Sequence, residues 1–279
     1  MEYTVNVKGR LMSFSEPKVM GILNVTPDSF YALSRYETEQ AVAERCKQIV
    51  AEGGHIIDVG ACSTRPGAAV VSEAEEMARL RIALGVVRRE QADAIVSVDT
   101  FRPDVARMAV EEFGADIIND VGEPLWAKSG GQSSKNEGQT SNFKMFRMVS
   151  RLCVPYVLTS HGATLEEVLM GFARDVQQLR DVGQSDIILD PGFGFGKTME
   201  QNYSLMADIE KLRIMDLPVL VGVSRKSMIQ KLIGCTADES LCGTIILNTI
   251  ALMKGASILR VHDVRQAVEC VRIVGASKK

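Results

Sequence analysis

Along this chain, polar residues that could do chemistry recur in one setting, the end of a short apolar run. ILDPGFGFGK, Ile188 to Lys197, closes its run with Asp190 and continues as a glycine-rich turn carrying Phe193 and Phe195. GILN ends at Asn24, IIDVG contains Asp58, IVSVD ends at Asp99, IIND ends at Asn119 and Asp120, and ILRVHD ends at His262 and Asp263. Two kinds of chemistry are implied. Asp99, Asn119 and Asp190 are acceptors that need N–H donors once buried, and the amidine-like edge of a nitrogen heterocycle offers two adjacent ones. Arg65, Lys226, Arg260 and His262 form a basic set suited to an anion, which matters because the formal charge of the whole chain is −3. Arg260 and His262 stand two apart and so face the same side of a strand. DVGACSTRPG brings the hydroxyls of Ser63 and Thr64 beside Arg65 and Pro66. In VGVSRKSM, Ser224, Arg225, Lys226 and Ser227 fall at a helix start, where N–H groups and the Lys226 ammonium favour an anion. Asn24 leads into a Thr-Pro-Asp-Ser turn, where its amide oxygen suits either a hard cation or a turn cap.

These residues need a scaffold that gathers strand ends. Apolar runs at Val19 to Leu23, Ile56 to Val59, Ile95 to Val98, Ile117 to Asn119, Tyr156 to Leu158, Ile187 to Leu189, Val219 to Val221 and Ile258 to Val261 alternate with helical periodicity. Ala41, Cys46, Ile49 and Val50, then Met77, Leu80, Leu84 and Val87, are examples of that periodicity. The pattern predicts an α/β fold, a (β/α)8 TIM barrel, whose parallel strands release their polar ends on one face. Thr4 to Val7 and Leu11 to Phe14, joined at Lys8-Gly9, predict an N-terminal β-hairpin covering one barrel end. Residues 1–279 read as one domain, since such a barrel takes about 250 residues. The exception is 127–142, AKSGGQSSKNEGQTSN, nearly free of large apolar groups and expected to be a flexible polar insertion on the functional face.

Composition narrows the function. With 46% apolar and 24% charged residues and no basic excess, the chain has material for a large core and none of the charge balance of a nucleic-acid reader. No apolar stretch approaches a membrane span, so no membrane partner is expected. The six cysteines show no C-x-x-C spacing, and a cytoplasmic enzyme with reduced thiols is expected. Asp58 reads rather as a buried helix-capping or loop-tying carboxylate than as a functional one, and His55 as a cap. The glycines of FGFGK read as backbone tightness, because the G-x-x-x-x-G-K-[ST] spacing of a phosphate loop is absent.

The ordered segments GILNVTPDSF, STRPG, SVDT, IND, DPGFGFGK, SRKS and RVHD resemble the dihydropteroate synthase family over nearly the whole chain. The resemblance implies a pterin-binding (β/α)8 barrel, usually homodimeric and targeted by sulfonamides. It implies a folate-biosynthesis enzyme that joins 4-aminobenzoate to 6-hydroxymethyl-7,8-dihydropterin diphosphate and releases pyrophosphate with Mg2+. By that resemblance Asp99, Asn119, Asp190 and Lys226 hold the pterin, with Asp99, Asp190 and Lys226 as the catalytic set. Asn24, Arg260 and His262 hold the diphosphate and its metal, and Thr64 assists. Arg65, Pro66, Phe195 and Ser227 form the aminobenzoate slot. The chain departs from the family where Asp-Gly-Gly is replaced by Ala32, Leu33 and Ser34, and where Met-His-Met is replaced by Leu158, Thr159 and Ser160, followed by His161. Two alternative readings follow: a catalytically weakened pterin-binding paralogue, and a folate-dependent methyltransferase of the same barrel group. The second has no need of Arg65, Arg260 and His262.

Overall fold

A computed structural model describes residues 3–25, 35–62, 71–122 and 135–278, with 35–37 and 135–142 as backbone only. Strands β1 (Thr4–Val7) and β2 (Arg10–Ser13) form an antiparallel hairpin. Its turn residues Lys8 and Gly9 have φ of 49° and 79°, the pair of positive values that a two-residue hairpin of this twist requires. Eight parallel strands follow: β3 (Lys18–Asn24), β4 (Ile56–Gly60), β5 (Ile95–Asp99), β6 (Ile117–Asp120), β7 (Tyr156–Thr159), β8 (Ile187–Asp190), β9 (Leu220–Val221) and β10 (Ile258–Val261). From β3 to β8 each pairs with the next, β9 pairs with β10, and β10 pairs with β3. The Leu189–Val219 bridge and the bond from Leu189 N to Pro218 O (2.9 Å) close the barrel between β8 and β9.

Helices α1 (Arg35–Ala51), α2 (Glu73–Glu90), α3 (Pro103–Phe113), α4 (Lys135–Leu152), α5 (Leu165–Asp181), α6 (Met199–Ala207), α7 (Ser227–Ile233), α8 (Leu241–Met253) and α9 (Val264–Ser277) fill the connections. Their starts are written locally. Thr164 with Glu167 and Thr198 with Gln201 make reciprocal capping boxes on α5 and α6, and Pro103 opens α3 where its missing N–H costs nothing. Helix α4 begins at Lys135, so the last eight residues of the polar stretch 127–142 are helical backbone rather than loop, while 127–134 lie outside the described residues. The segment's hydrophilicity hid this helix, whose apolar side emerges only at Met145, Phe146 and Val149, all buried.

The packed interior has two parts. Outward-facing residues such as Val19, Val59, Val98, Ile118 and Leu189 pack under the helices. Inside the barrel, Met20, Ile56, Ile117, Val157, Ile188, Leu220 and Ile258, mostly at strand starts, meet Val5, Val7 and Phe14 of the hairpin. The hairpin thus seals the N-terminal end of the barrel. Polar ties hold it there: Asn6 N donates to Asp186 Oδ1 (2.9 Å), and Lys8 Nζ stands 2.7 Å from Asp116 Oδ1. Asp116, nearly buried, also accepts from Val96 N and Arg88 Nη2, each at 2.8 Å. Among the described residues no helix is long and apolar enough to cross a membrane.

Candidate active site

Above this apolar floor, most of the next inward positions of the same strands are polar or charged, Asp58, Asn119, Thr159, Asp190 and Arg260 among them. Arg260 on β10 crosses the barrel mouth, donating from Nε to Asp58 Oδ2 (2.7 Å) and from Nη2 to Asp99 Oδ2 (2.7 Å). Asn119 on β6 donates its amide to both oxygens of Asp58 at 3.3 and 3.2 Å. Its Oδ1, buried and without a protein partner, is left as an acceptor. Burying ions costs several kcal/mol each unless they are paired and hydrogen-bonded, which explains why these four side chains interlock. Asp58, wholly buried, anchors both Arg260 and Asn119, so its loop-tying reading gives way to a place at the centre of the site. The signal was its position in IIDVG: it shares a strand face with Ile56 and lies in register with Ser97.

Asp190, at the end of β8, is nearly buried and accepts Gly192 N at Oδ1 (2.8 Å). Burial holds its carboxyl above the usual carboxylate range, with Lys226 the strongest opposing influence. Burial also lowers Lys226 to about 8, against the attraction of Asp190. The Lys226 ammonium donates to Phe193 O and lies 4.7 Å from the centre of the Phe195 ring. His161 meets the same ring edge-on at 5.7 Å. The turn between Asp190 and Lys197 comes very close to β7. A Cβ on Gly192, whose φ is +71°, would stand 2.0 Å from Ser160 O, so glycine is required by both space and backbone. Lys197, read from sequence as part of a tight turn only, fastens this contact: Nζ donates to Gly192 O (2.8 Å) and Ser160 O (3.5 Å), and burial lowers it to about 8. Asp58, Asp99 and Asp190 therefore face Arg260, Lys226 and Lys197, a balance of three charges against three when all are ionised.

Asn24 joins the rim: a Cβ added at Gly60 would lie 3.3 Å from Asn24 Oδ1 and 3.3 Å from Asp99 Cβ. The register Asn24–Gly60–Asp99 across β3, β4 and β5 sets that order. Burial raises Asp99 to about 7 even with Arg260 beside it. His262 is not the cation that the sequence suggested. Burial, reinforced by Arg260 and Arg225, lowers it to about 4, so the imidazole is neutral near pH 7. Its backbone N–H donates to Ser224 Oγ (3.2 Å), and Nδ1 lies 3.0 Å from the same hydroxyl, within hydrogen-bond reach for either ring tautomer. Arg225, in the left-handed region at φ 55°, turns away and holds Asp263 with two hydrogen bonds (3.0 and 2.7 Å). Lys226 caps α7, and Ser227 is its exposed first residue. Outside the described residues lie Thr64, Arg65 and Pro66, and Ala32, Leu33 and Ser34 as well. His55 caps strand β3, accepting Val19 N at Nδ1 (3.1 Å).

A barrel mouth with an amide acceptor, buried carboxylates and a buried ammonium is the setting of a heterocycle site, and comparison with known proteins decides which kind. The profile of the pterin binding enzyme family matches residues 20–262. The dihydropteroate synthase of Escherichia coli (strain K12) is 36% identical over 272 residues, covering 97% of this chain and 95% of that protein. The chain belongs to the dihydropteroate synthase family. Among solved structures, the Xanthomonas albilineans dihydropteroate synthase with 4-aminobenzoic acid superposes with a TM-score of 0.85 at 31% identity, covering 100% of this chain and 99% of that one. The Yersinia pestis dihydropteroate synthase in complex with a sulfonamide drug gives 0.82 at 32%, covering 99% of each chain. As a dihydropteroate synthase the chain is a transferase, and the barrel expected from sequence is the fold observed.

Proposed function

We propose that the chain condenses 6-hydroxymethyl-7,8-dihydropterin diphosphate with 4-aminobenzoate to give 7,8-dihydropteroate and pyrophosphate, in folate biosynthesis. The observation that carries the residue assignment is the acceptor pair Asn119 Oδ1 and Asp190, set beside the Lys226 donor in a buried, charge-balanced mouth. In this reading Asp190 and Asn119 accept the N–H groups of the pterin, Lys226 donates to its ring, and Asp99 faces the methylene carbon. The C–O bond to the diphosphate breaks with its electron pair leaving on pyrophosphate. Asp99 and Asp190 stabilise the positive charge that develops on the pterin methylene. The aniline nitrogen of aminobenzoate then forms the C–N bond and loses a proton. No protein nucleophile takes part, and the work of the chain is positioning and electrostatics. Phe195 forms one wall of the aminobenzoate slot, completed by Arg65, Pro66 and Ser227, while Thr64, Arg260 and His262 hold the diphosphate.

Mg2+ fits this site chemically. Asn24 offers a hard oxygen beside Asp99, and magnesium is commonly held by one or two protein oxygens together with substrate phosphates. The network is already balanced, so a diphosphate adds negative charge that the neutral His262 does not meet. Bound there, the ion would neutralise charge on the departing pyrophosphate. A homodimer is part of the same reading: Ile246, Ile250 and Met253 form an exposed apolar face on α8, with exposed Ile273 on the adjoining α9. Purified protein incubated with the pterin diphosphate and 4-aminobenzoate, with and without magnesium, should form dihydropteroate and pyrophosphate in equal amounts only with the metal. Tight pterin binding with neither product would instead identify a weakened paralogue.

A further inference from the structure

We propose that Thr159 reads the pterin through its hydroxyl, as a specificity-determining contact of this chain; the inference rests on the functional reading above. Thr159 ends β7, at the point where this chain departs from its family's pattern. Its Cα is in register with that of Asp190 on β8, so the two side chains share the inner face of the barrel. Its Cγ2 methyl lies on the Gly192 side, 3.3 Å from where a Cβ there would stand. In a β-branched side chain, placing Cγ2 sets χ1 and therefore the direction of the hydroxyl.

That hydroxyl is buried and has no hydrogen-bond partner. Ser97 Oγ on β5 and Asn119 Oδ1 on β6 share this condition, so three consecutive barrel strands each carry an unpaired buried polar atom. Asn119 shows that the condition is built rather than accidental, because its amide nitrogen is spent on Asp58 and its oxygen is the one left over. Valine would fill the space of Thr159 without an unpaired hydroxyl, and Tyr156, Val157 and Leu158 before it are all buried apolar residues. A buried hydroxyl without a partner is unfavourable until a ligand supplies one. Asp190 can only accept from the heterocycle and Lys226 can only donate. A threonine hydroxyl does either, and so meets a ring nitrogen, a carbonyl or an exocyclic amine on the edge that Asp190 approaches.

The test is equilibrium binding of 6-hydroxymethyl-7,8-dihydropterin diphosphate to wild type, Thr159→Val and Thr159→Ser, with thermal unfolding of each protein in the absence of ligand. Thr159→Val is expected to weaken binding about 3- to 10-fold, the effect of one lost hydrogen bond, while unfolding at or above the wild-type temperature. Thr159→Ser should restore most of the affinity, and the KM for 4-aminobenzoate should stay level across the series. Equal affinity in Thr159→Val, or an equal loss in both variants, would overturn the proposal, the second result showing that packing of the methyl group is what matters. A wild-type protein that binds no pterin would overturn the functional reading itself, and this inference with it.

Discussion

At the N-terminal ends of the barrel strands, Met20, Ile56, Ile117 and Ile188 meet Val5, Val7 and Phe14 of the hairpin; at the C-terminal ends, the same strand faces carry Asp58, Asp99, Asn119, Asp190 and Arg260. The floor is held by burial of apolar area, about 25 cal/mol per Å2, which is indifferent to direction and to pH. The mouth is held by a few directional bonds among ions that are expensive to bury singly. The strands can tolerate a polar mouth because the floor and the helix layer supply the stability. The mouth in turn keeps atoms unpaired, Asn119 Oδ1 and Thr159 Oγ1 among them, that no residue of the floor leaves open. Stability and chemistry are thus separated along the length of each strand.

The largest effect tests the mutual dependence of the mouth: Arg260→Met leaves Asp58 and Asp99 without their cation. It should cost about 3–5 kcal/mol in urea unfolding and abolish turnover. An unchanged unfolding free energy would mean that the mouth is not a mutually dependent network. Phe14→Ala strikes the other end, and about 3 kcal/mol of stability should be lost with kcat/KM per folded molecule unchanged. A drop in kcat/KM would show that the floor and mouth are coupled.

A smaller effect separates the two partly buried lysines. Lys226 must be protonated to donate, and its folded-state value is lowered to about 8, so activity should fall as pH rises through about 8. The stability term has the opposite sign, because between that value and the ordinary 10.5 the unfolded chain binds the extra proton and folding is favoured as pH rises. Lys226→Arg should move the alkaline limb of the rate profile upward. A limb that stays in place would belong to Lys197, which is lowered to a similar value. Smallest of all, Gly9→Ala in the hairpin turn, where φ is +79° and nothing lies within 4 Å of an added Cβ, should cost about 1 kcal/mol from backbone strain and leave activity untouched.

Much of this was legible in the sequence because period and position are local properties. Asp99, Asn119 and Asp190 ended apolar runs, Arg260 and His262 stood two apart, and the Lys8-Gly9 turn announced the hairpin. The misreadings came where a residue's partner is remote. Asp58 looked ordinary in mid-strand, yet its partners are 61 and 202 positions away. His262 is basic by type, but burial beside Arg260 makes it neutral. Arg225 and Lys226 are neighbours in the chain that point to different partners, because the left-handed backbone at Arg225 turns its guanidinium to Asp263. Helix α4 starts inside a stretch too polar to reveal it.

The amino-acid sequence by itself determined that strands and helices alternate, that the strand ends are polar and that the chain belongs among pterin-binding barrels, because apolar period, turn residues and ordered motifs are written in consecutive residues. Only the tertiary structure decided which charges cancel, which are shifted and which polar atoms remain unpaired. Those properties depend on distance and burial between residues from different strands, and closure of the barrel brings such residues within 3 Å of one another.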